Sequence, residues 1–97
     1  MASNKLSTIG LALRAGKLID GEGRVIEALS KETQGYIFLA SDAGENITKK
    51  ITDKARSFNH TVNSEYTKDE ISKAIGKTNR TVIAIFDKGF ITLLNRE

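Results

Sequence analysis

The sequence contains no cysteine, no proline and no tryptophan, and it has a single histidine, His60. Without cysteine the chain can form neither a disulfide bond nor a thiolate metal site, which fits a reducing compartment. Enzymes bring several nucleophilic, acid-base or ligating groups together, but here the carboxylates are scattered and His60 has no second histidine beside it. We interpret His60 as a surface or edge histidine, and we expect no enzyme activity, no metal and no cofactor.

Long apolar runs are also missing, and no stretch approaches the roughly 20 apolar residues that cross a membrane. Near the N-terminus, Ser7 and Thr8 interrupt the apolar residues, and the spacing is helical rather than that of a signal peptide. The 97 residues suffice for one small domain. We therefore expect residues 1–97 to form a single cytoplasmic domain with no membrane contact.

No segment carries a strong excess of charge of one sign. The net charge is +3, and each of the segments 1–35, 36–60 and 61–97 has one more basic than acidic residue. This small excess of positive charge favours an anionic partner, although a solvated surface of mixed charge would have the same composition. Any positive patch must be assembled by folding.

The order of apolar patterns predicts the fold. Two continuous apolar runs, at residues 36–40 (YIFLA) and 82–86 (VIAIF), are typical of strands buried on both faces. Residues 17–20 and 60–64 are weaker strand candidates, and the segments around them show narrow apolar stripes at helical spacing, the first made by Leu6, Ile9 and Leu13. Alternating helices and strands predict a three-layer α-β-α sandwich with a four-stranded mixed sheet.

Capping signals mark the ends of the predicted helices. Residues 67–70 (TKDE) have the form of a capping box, and Gly16 and Gly76 follow helices where a left-handed residue is favoured. Residues 42–45 are candidates to cap the third helix, and residues 87–89 (DKG) are expected to form a turn before the last one.

Three loops are candidates for ligand contact. Residues 16–24 (GKLIDGEGR) place a strand between glycine turns and then open a helix, whose free N–H groups can bind an anion. They match neither the dinucleotide fingerprint nor the phosphate-binding P-loop, and a plain tight turn is the alternative. Residues 76–80 (GKTNR) form a basic loop suited to phosphate or an unstacked base, and residues 41–46 (SDAGEN) form the third. Each could be an ordinary loop, but three such loops at one end of a sandwich indicate a binding site more strongly than any one of them.

The same residues, in this order, resemble a known family. Residues 13–21 (LRAGKLIDG), 40–43 (ASDA), Lys68 and 73–76 (KAIG) look like the kink-turn-binding ribosomal-protein family. Within it, residues 44–54 (GENITKKITDK) make the chain most similar to the YlxQ-like proteins of Gram-positive bacteria. The resemblance extends from about residue 6 to residue 94.

The resemblance implies an α-β-α sandwich that binds kink-turns, which are sharply bent RNA helices with tandem sheared G·A pairs. It implies a monomer that binds kink-turn or ribosomal RNA, with the ribosome as a candidate partner. The expected RNA-binding residues are Arg14, Lys17, Gly21, Glu22, Gly23, Arg24, Asp42, Gly44, Lys68, Lys77, Thr78, Asn79 and Arg80.

The chain departs from the family pattern at the start of the second helix. Kink-turn binders carry Gly-Thr-Asn-Glu and a lysine three residues later, whereas this chain has residues 21–24 (GEGR) and Glu27. The amide and the carboxylate that accepts guanine N–H groups are lost, and Glu27 would repel phosphate. Arg24 can still reach guanine O6 and N7 or a phosphate, so we expect altered RNA selectivity. The alternative is a protein-interaction or ribosome-assembly factor that keeps the fold and has lost kink-turn specificity.

Overall fold

The computed structural model describes residues 4–96, in which five helices alternate with four strands. The helices are α1 (Lys5–Arg14), α2 (Glu22–Lys31), α3 (Glu45–Ser57), α4 (Lys68–Ala74) and α5 (Lys88–Arg96). The strands are β1 (Leu18–Asp20), β2 (Tyr36–Leu39), β3 (Thr61–Asn63) and β4 (Val82–Ile85). Within residues 4–96, every helix is too short or too polar to cross a bilayer.

The two apolar runs form the centre of one sheet, with strand order β1-β4-β2-β3. β4 pairs antiparallel with both β1 and β2, whereas β3 runs parallel to β2 at the edge. Every residue of β2 and β4 is buried. Continuous apolar sequence therefore corresponds to strands covered on both faces, as predicted.

Alternate residues of the central strands point into two separate cores. One core lies between the sheet and helices α1, α4 and α5, and it includes Phe38, Ile83 and Ile85. The other lies between the sheet and helices α2 and α3, and it includes Ile37 and Ala84. The predicted three-layer sandwich with a four-stranded mixed sheet is confirmed.

Several predicted caps are also confirmed. The Thr67 hydroxyl accepts a hydrogen bond from the Glu70 N–H at 3.2 Å, and the Glu70 carboxylate accepts from the Thr67 N–H at 2.9 Å, completing the capping box of α4. Gly16 and Gly76 have φ of 71° and 67°. Both lie in the left-handed region that glycine adopts readily.

The prediction that residues 42–45 cap α3 is confirmed, because the N-cap of this helix is Gly44. Asp42 is not that cap, and its Oδ1 accepts from the Lys68 N–H at 2.8 Å, at the start of α4. Two local predictions are wrong. The predicted turn at 87–89 already belongs largely to α5, because Asp87 Oδ2 accepts from the Phe90 N–H at 3.1 Å. Leu13 is exposed, because the buried face of α1 runs through Thr8, Ile9 and Ala12 instead.

His60 is buried, with 8% of its surface exposed, so it is not a surface histidine, although it does lie at the edge of the sheet, directly before β3. Its Nδ1 accepts a hydrogen bond from the Gly35 N–H at 2.8 Å. Its Nε2 lies 3.0 Å from the carbonyl oxygen of Leu29, so the proton of the neutral ring belongs on Nε2. His60 thereby joins the end of α2 to the start of β2.

Gly35 provides a test of this packing. A Cβ atom at this position would overlap the ring of Phe86 and lie 3.0 Å from His60 Nδ1. We expect Gly35→Ala to lower the free energy of unfolding by about 1–3 kcal/mol, the usual cost of overpacking. Denaturant titration monitored by circular dichroism measures this change.

The matched control is Gly23→Ala, because a Cβ atom there meets nothing within 4 Å. Gly23 lies in α2, so alanine should stabilise the protein by about 0.5–1 kcal/mol. Equal stability of the two variants would contradict the packing described for Gly35 and Phe86.

Candidate nucleic-acid interface

The sheet register brings several loops to one end of the molecule. Asp20 at the end of β1 pairs with Ile83, and Leu39 at the end of β2 pairs with Val82 at the start of β4. Since β3 is parallel to β2, it ends on the same side. The segments that follow β1, β2 and β3 and the segment that precedes β4 therefore share this end, which we call the loop end of the sheet.

The start of α2 at the loop end presents free backbone N–H groups. Its N-cap is Gly21, whose φ of 97° favours glycine and which has no side chain to cap the helix. The first N–H groups of a helix have no acceptor within it, and the helix dipole places a partial positive charge there. Glu22, Gly23 and Arg24 in this first turn are exposed, so an anion can approach.

The segment between α4 and β4 is held in a defined shape. Ser72 is buried, and its hydroxyl accepts a hydrogen bond from the Arg80 N–H at 2.9 Å. Arg80 Nη1 donates to the carbonyl oxygen of Thr78 at 2.8 Å. Asn79 has φ of 54°, a left-handed conformation in which asparagine is enriched.

Asp20 connects this segment to the strand beside α2. Its Oδ2 accepts hydrogen bonds from Lys77 Nζ and from Arg80 Nε, each at 3.0 Å. Burial acts to raise the pKa of Asp20, but the hydrogen bonds and charges of Lys77 and Arg80 outweigh it, so that the pKa lies below its ordinary value. Asp20 is therefore a carboxylate at neutral pH.

These groups border one open cleft of about 490 Å³. Its lining residues are Asp20, Gly21, Glu22, Arg24, Lys77, Asn79, Arg80 and Thr81. Six of them, all except Asp20 and Thr81, were predicted site residues from two loops far apart in the sequence. The predicted residues Gly23 and Thr78 lie between lining residues in the same two segments.

Three other predicted residues lie at the loop end, outside the lining of the cleft. Asp42 and Lys68 are joined by the hydrogen bond between the Asp42 carboxylate and the Lys68 backbone. Gly44 begins α3 as its N-cap. A hydrogen bond therefore connects the loop after β2 to the start of α4.

The structure does not bring Arg14 and Lys17 into the cleft. Arg14 folds back along α1, and its Nε lies 3.5 Å from the Gly10 carbonyl oxygen. Lys17 lines a different hollow with Phe86 and Lys88, at the opposite end of β1.

Three contributors to the cleft escaped the sequence analysis: Thr81, which lines it, and Asp20 and Ser72. Asp20 and Ser72 hold Arg80 across 60 and 8 residues of sequence, respectively. An acidic residue at the end of an otherwise apolar strand was the available signal for Asp20. Among residues 4–96 there is no group of three or more histidine, aspartate or glutamate side chains that could hold a metal ion.

Comparison with known proteins places the chain in a family. The profile of the ribosomal protein L7Ae/L30e/S12e/Gadd45 family matches residues 4–95. The chain belongs to this family. The resemblance to a ribosomal-protein family noted in the sequence is thereby confirmed.

Two named relatives and one solved structure are consistent with this family assignment. The chain is 41% identical over 85 residues to a protein of Enterococcus faecium named RNA-binding protein YlxQ, covering 88% of this chain and 82% of that protein. It is 34% identical over 86 residues to the protein of the same name from Bacillus subtilis, covering 89% and 86%. A solved protein of unknown function from Bacillus halodurans superposes with a TM-score of 0.89 and 36% identity, covering 98% of this chain and 96% of that one.

The residues that depart from the sequence pattern of kink-turn binders, Arg24 and Glu27, lie at the edge of the cleft. Arg24 lines both the cleft and a neighbouring hollow, which Glu27 and Lys31 also line. Glu27 is one helical turn from Arg24 and from Lys31, so cations flank it on the surface of α2. The acidic residue at the family's lysine position therefore lies next to the cleft and between basic neighbours.

The lowered pKa of Asp20 makes stability depend on pH. A carboxylate with a depressed pKa in the folded state stabilises the protein above its unfolded pKa of about 3.9. The contribution is lost as the pH falls through the lower folded value. We expect the free energy of unfolding of the native protein to exceed that of Asp20→Asn near neutral pH, and the difference to shrink as the pH falls below about 4.

Denaturant titrations of both proteins from neutral to acidic pH measure the difference. High salt should reduce it, because Lys77 and Arg80 are 42% and 36% exposed in their side chains. A difference that is constant with pH would show that Asp20 contributes through packing and not through its charge.

Proposed function

We propose that this chain is a non-catalytic, monomeric protein that binds structured RNA, with kink-turn-like or ribosomal RNA as the target class. One observation carries the proposal: the open N-terminus of α2 and the basic segment 77–80 border the same cleft. The family membership and the two relatives named RNA-binding protein support it. The loops near 42–45 extend the proposed surface along the loop end.

The cleft combines two kinds of RNA contact. Lys77 and the free N–H groups of α2 suit phosphate oxygens, which fix position and orientation. Arg24 can donate two hydrogen bonds to guanine O6 and N7, a pairing that reads the base. With Arg24 replacing the family's carboxylate, the preferred RNA differs from a standard kink-turn in the bases at the α2 contact.

A protein-interaction or assembly role is the second candidate. Leu11 on α1 and Leu93 on α5 are 48% and 38% exposed, and these two helices pack against each other. Exposed apolar side chains on adjacent helices favour a protein partner. This surface belongs to the layer opposite α2.

The first test is titration of a labelled standard kink-turn RNA and a matched straight duplex at about 50 and about 200 mM salt. We expect both to bind more weakly at the higher salt, because phosphate contacts release counterions, and the kink-turn to bind more tightly than the duplex. Equal binding would leave a general RNA-binding protein. No binding to either RNA at the lower salt would contradict the proposal and favour the protein-interaction role.

The second test is Arg24→Glu, which reverses one exposed charge of the cleft. We expect at least about fivefold weaker binding to the kink-turn RNA, since loss of a base contact costs about 1–3 kcal/mol. The fold should be retained, because glutamate in the first turn of a helix is favoured by the dipole.

The matched control is Arg56→Glu, an exposed arginine in the last turn of α3. It makes the same change in net charge away from the cleft, and we expect less than a twofold effect on binding at about 200 mM salt, where distant charges are screened. Equal losses for the two variants would show that the overall charge, and not the cleft, determines binding.

A further inference from the structure

We infer that Asp20 is a positioning residue that sets RNA selectivity: it holds Lys77 and Arg80 in place while cancelling part of their charge. The inference rests on the proposed function. It concerns which RNA the cleft accepts, and it assigns a role to an acidic residue at the centre of a basic site.

The geometry places Asp20 behind the two cations. Its side chain is only 15% exposed, whereas those of Lys77 and Arg80 are 42% and 36% exposed. Both cations donate to the same oxygen, Oδ2. The carboxylate therefore forms the inner wall of the cleft, and the cations lie between it and the solvent.

The first consequence is that the side chains of Lys77 and Arg80 are ordered before RNA binds. A lysine or arginine side chain loses rotamer entropy when it is fixed. Asp20 belongs to β1, which is paired with the buried strand β4, so both cations are tied to a rigid element before RNA arrives. Groups already in place favour an RNA whose phosphates match their positions.

The second consequence is that Asp20 lowers the net positive charge of the cleft. Two cations and one carboxylate leave a net charge of +1 where the cations alone would give +2. A unit charge at about 4 Å in water is worth about fivefold in affinity. Asp20 therefore weakens the attraction for any phosphate chain, including a straight duplex, while an RNA that fits the cations keeps its direct hydrogen bonds.

The test is Asp20→Asn, which preserves the size of the side chain and removes its charge. We expect the straight duplex to bind about three- to fivefold more tightly at about 50 mM salt. The plot of log affinity against log salt should steepen by about one unit for that duplex, as for one more phosphate contact. The preference for kink-turn over straight RNA should fall at least threefold.

The matched control is Asp53→Asn, which raises the net charge equally because it removes one carboxylate, and which frees Lys49 on α3 from its ion pair. That ion pair, at 3.3 Å, is exposed on both sides, and neither residue lines the cleft. We expect the preference of this control for kink-turn over straight RNA to lie within twofold of the native value. Its slope of log affinity against log salt should lie within half a unit of the native slope. The salt slope is the readout that a purely structural role for Asp20 would leave unchanged.

A further variant separates charge from folding. Adding Lys77→Gln to Asp20→Asn removes the cation that Asp20 releases, so the salt slope should return to the native value. Circular dichroism establishes that each variant is folded. A folded Asp20→Asn protein with native preference and native slope would overturn the inference and leave the proposed function intact, whereas a native protein that binds neither RNA would contradict both.

Discussion

Burial of β2 and β4 on both faces is the constraint on which the rest of the structure depends. Their side chains fill two cores on opposite sides of the sheet, so helices must cover both faces. The pairing of these strands also fixes the register at the loop end, where Leu39 meets Val82 and Asp20 meets Ile83. The candidate site is thus a product of hydrophobic pairing at the centre of the sheet, although none of its charged residues belongs to the core.

The electrostatic character of the cleft arises in the same way. The segments 1–35, 36–60 and 61–97 each have one more basic than acidic residue, so no long stretch of the chain is strongly basic before folding. Folding places Lys77 and Arg80 against Asp20 across 57 and 60 residues and beside the positive end of α2. The cleft is therefore a site of mixed charge with an internal carboxylate, and the proposed selectivity depends on the arrangement of its donors more than on total charge.

Sequence reasoning succeeded where the determining interactions are local. Apolar runs predicted the central strands, and the Thr67 capping box and the left-handed Gly76 involve only neighbouring residues. It failed where the partner is remote: the buried ring of His60 forms its hydrogen bonds with residues 25 and 31 positions away, and Asp42 accepts from the first turn of a helix 26 residues further on. The cleft was anticipated as a cluster of loops, but which side chains meet in it required the sheet register.

The first turn of α2 breaks the local rules of helix formation, and this supports a ligand at that position. Gly23 is a poor helix residue, costing about 1 kcal/mol relative to alanine. Arg24 places a cation where the helix dipole is positive, which costs about 0.3–1 kcal/mol. Neither residue is buried, so packing does not explain them. Both residues fit the proposed RNA interface, where a glycine would let the RNA approach the backbone and an arginine would meet a phosphate or a guanine, because departures from local preference concentrate at functional sites.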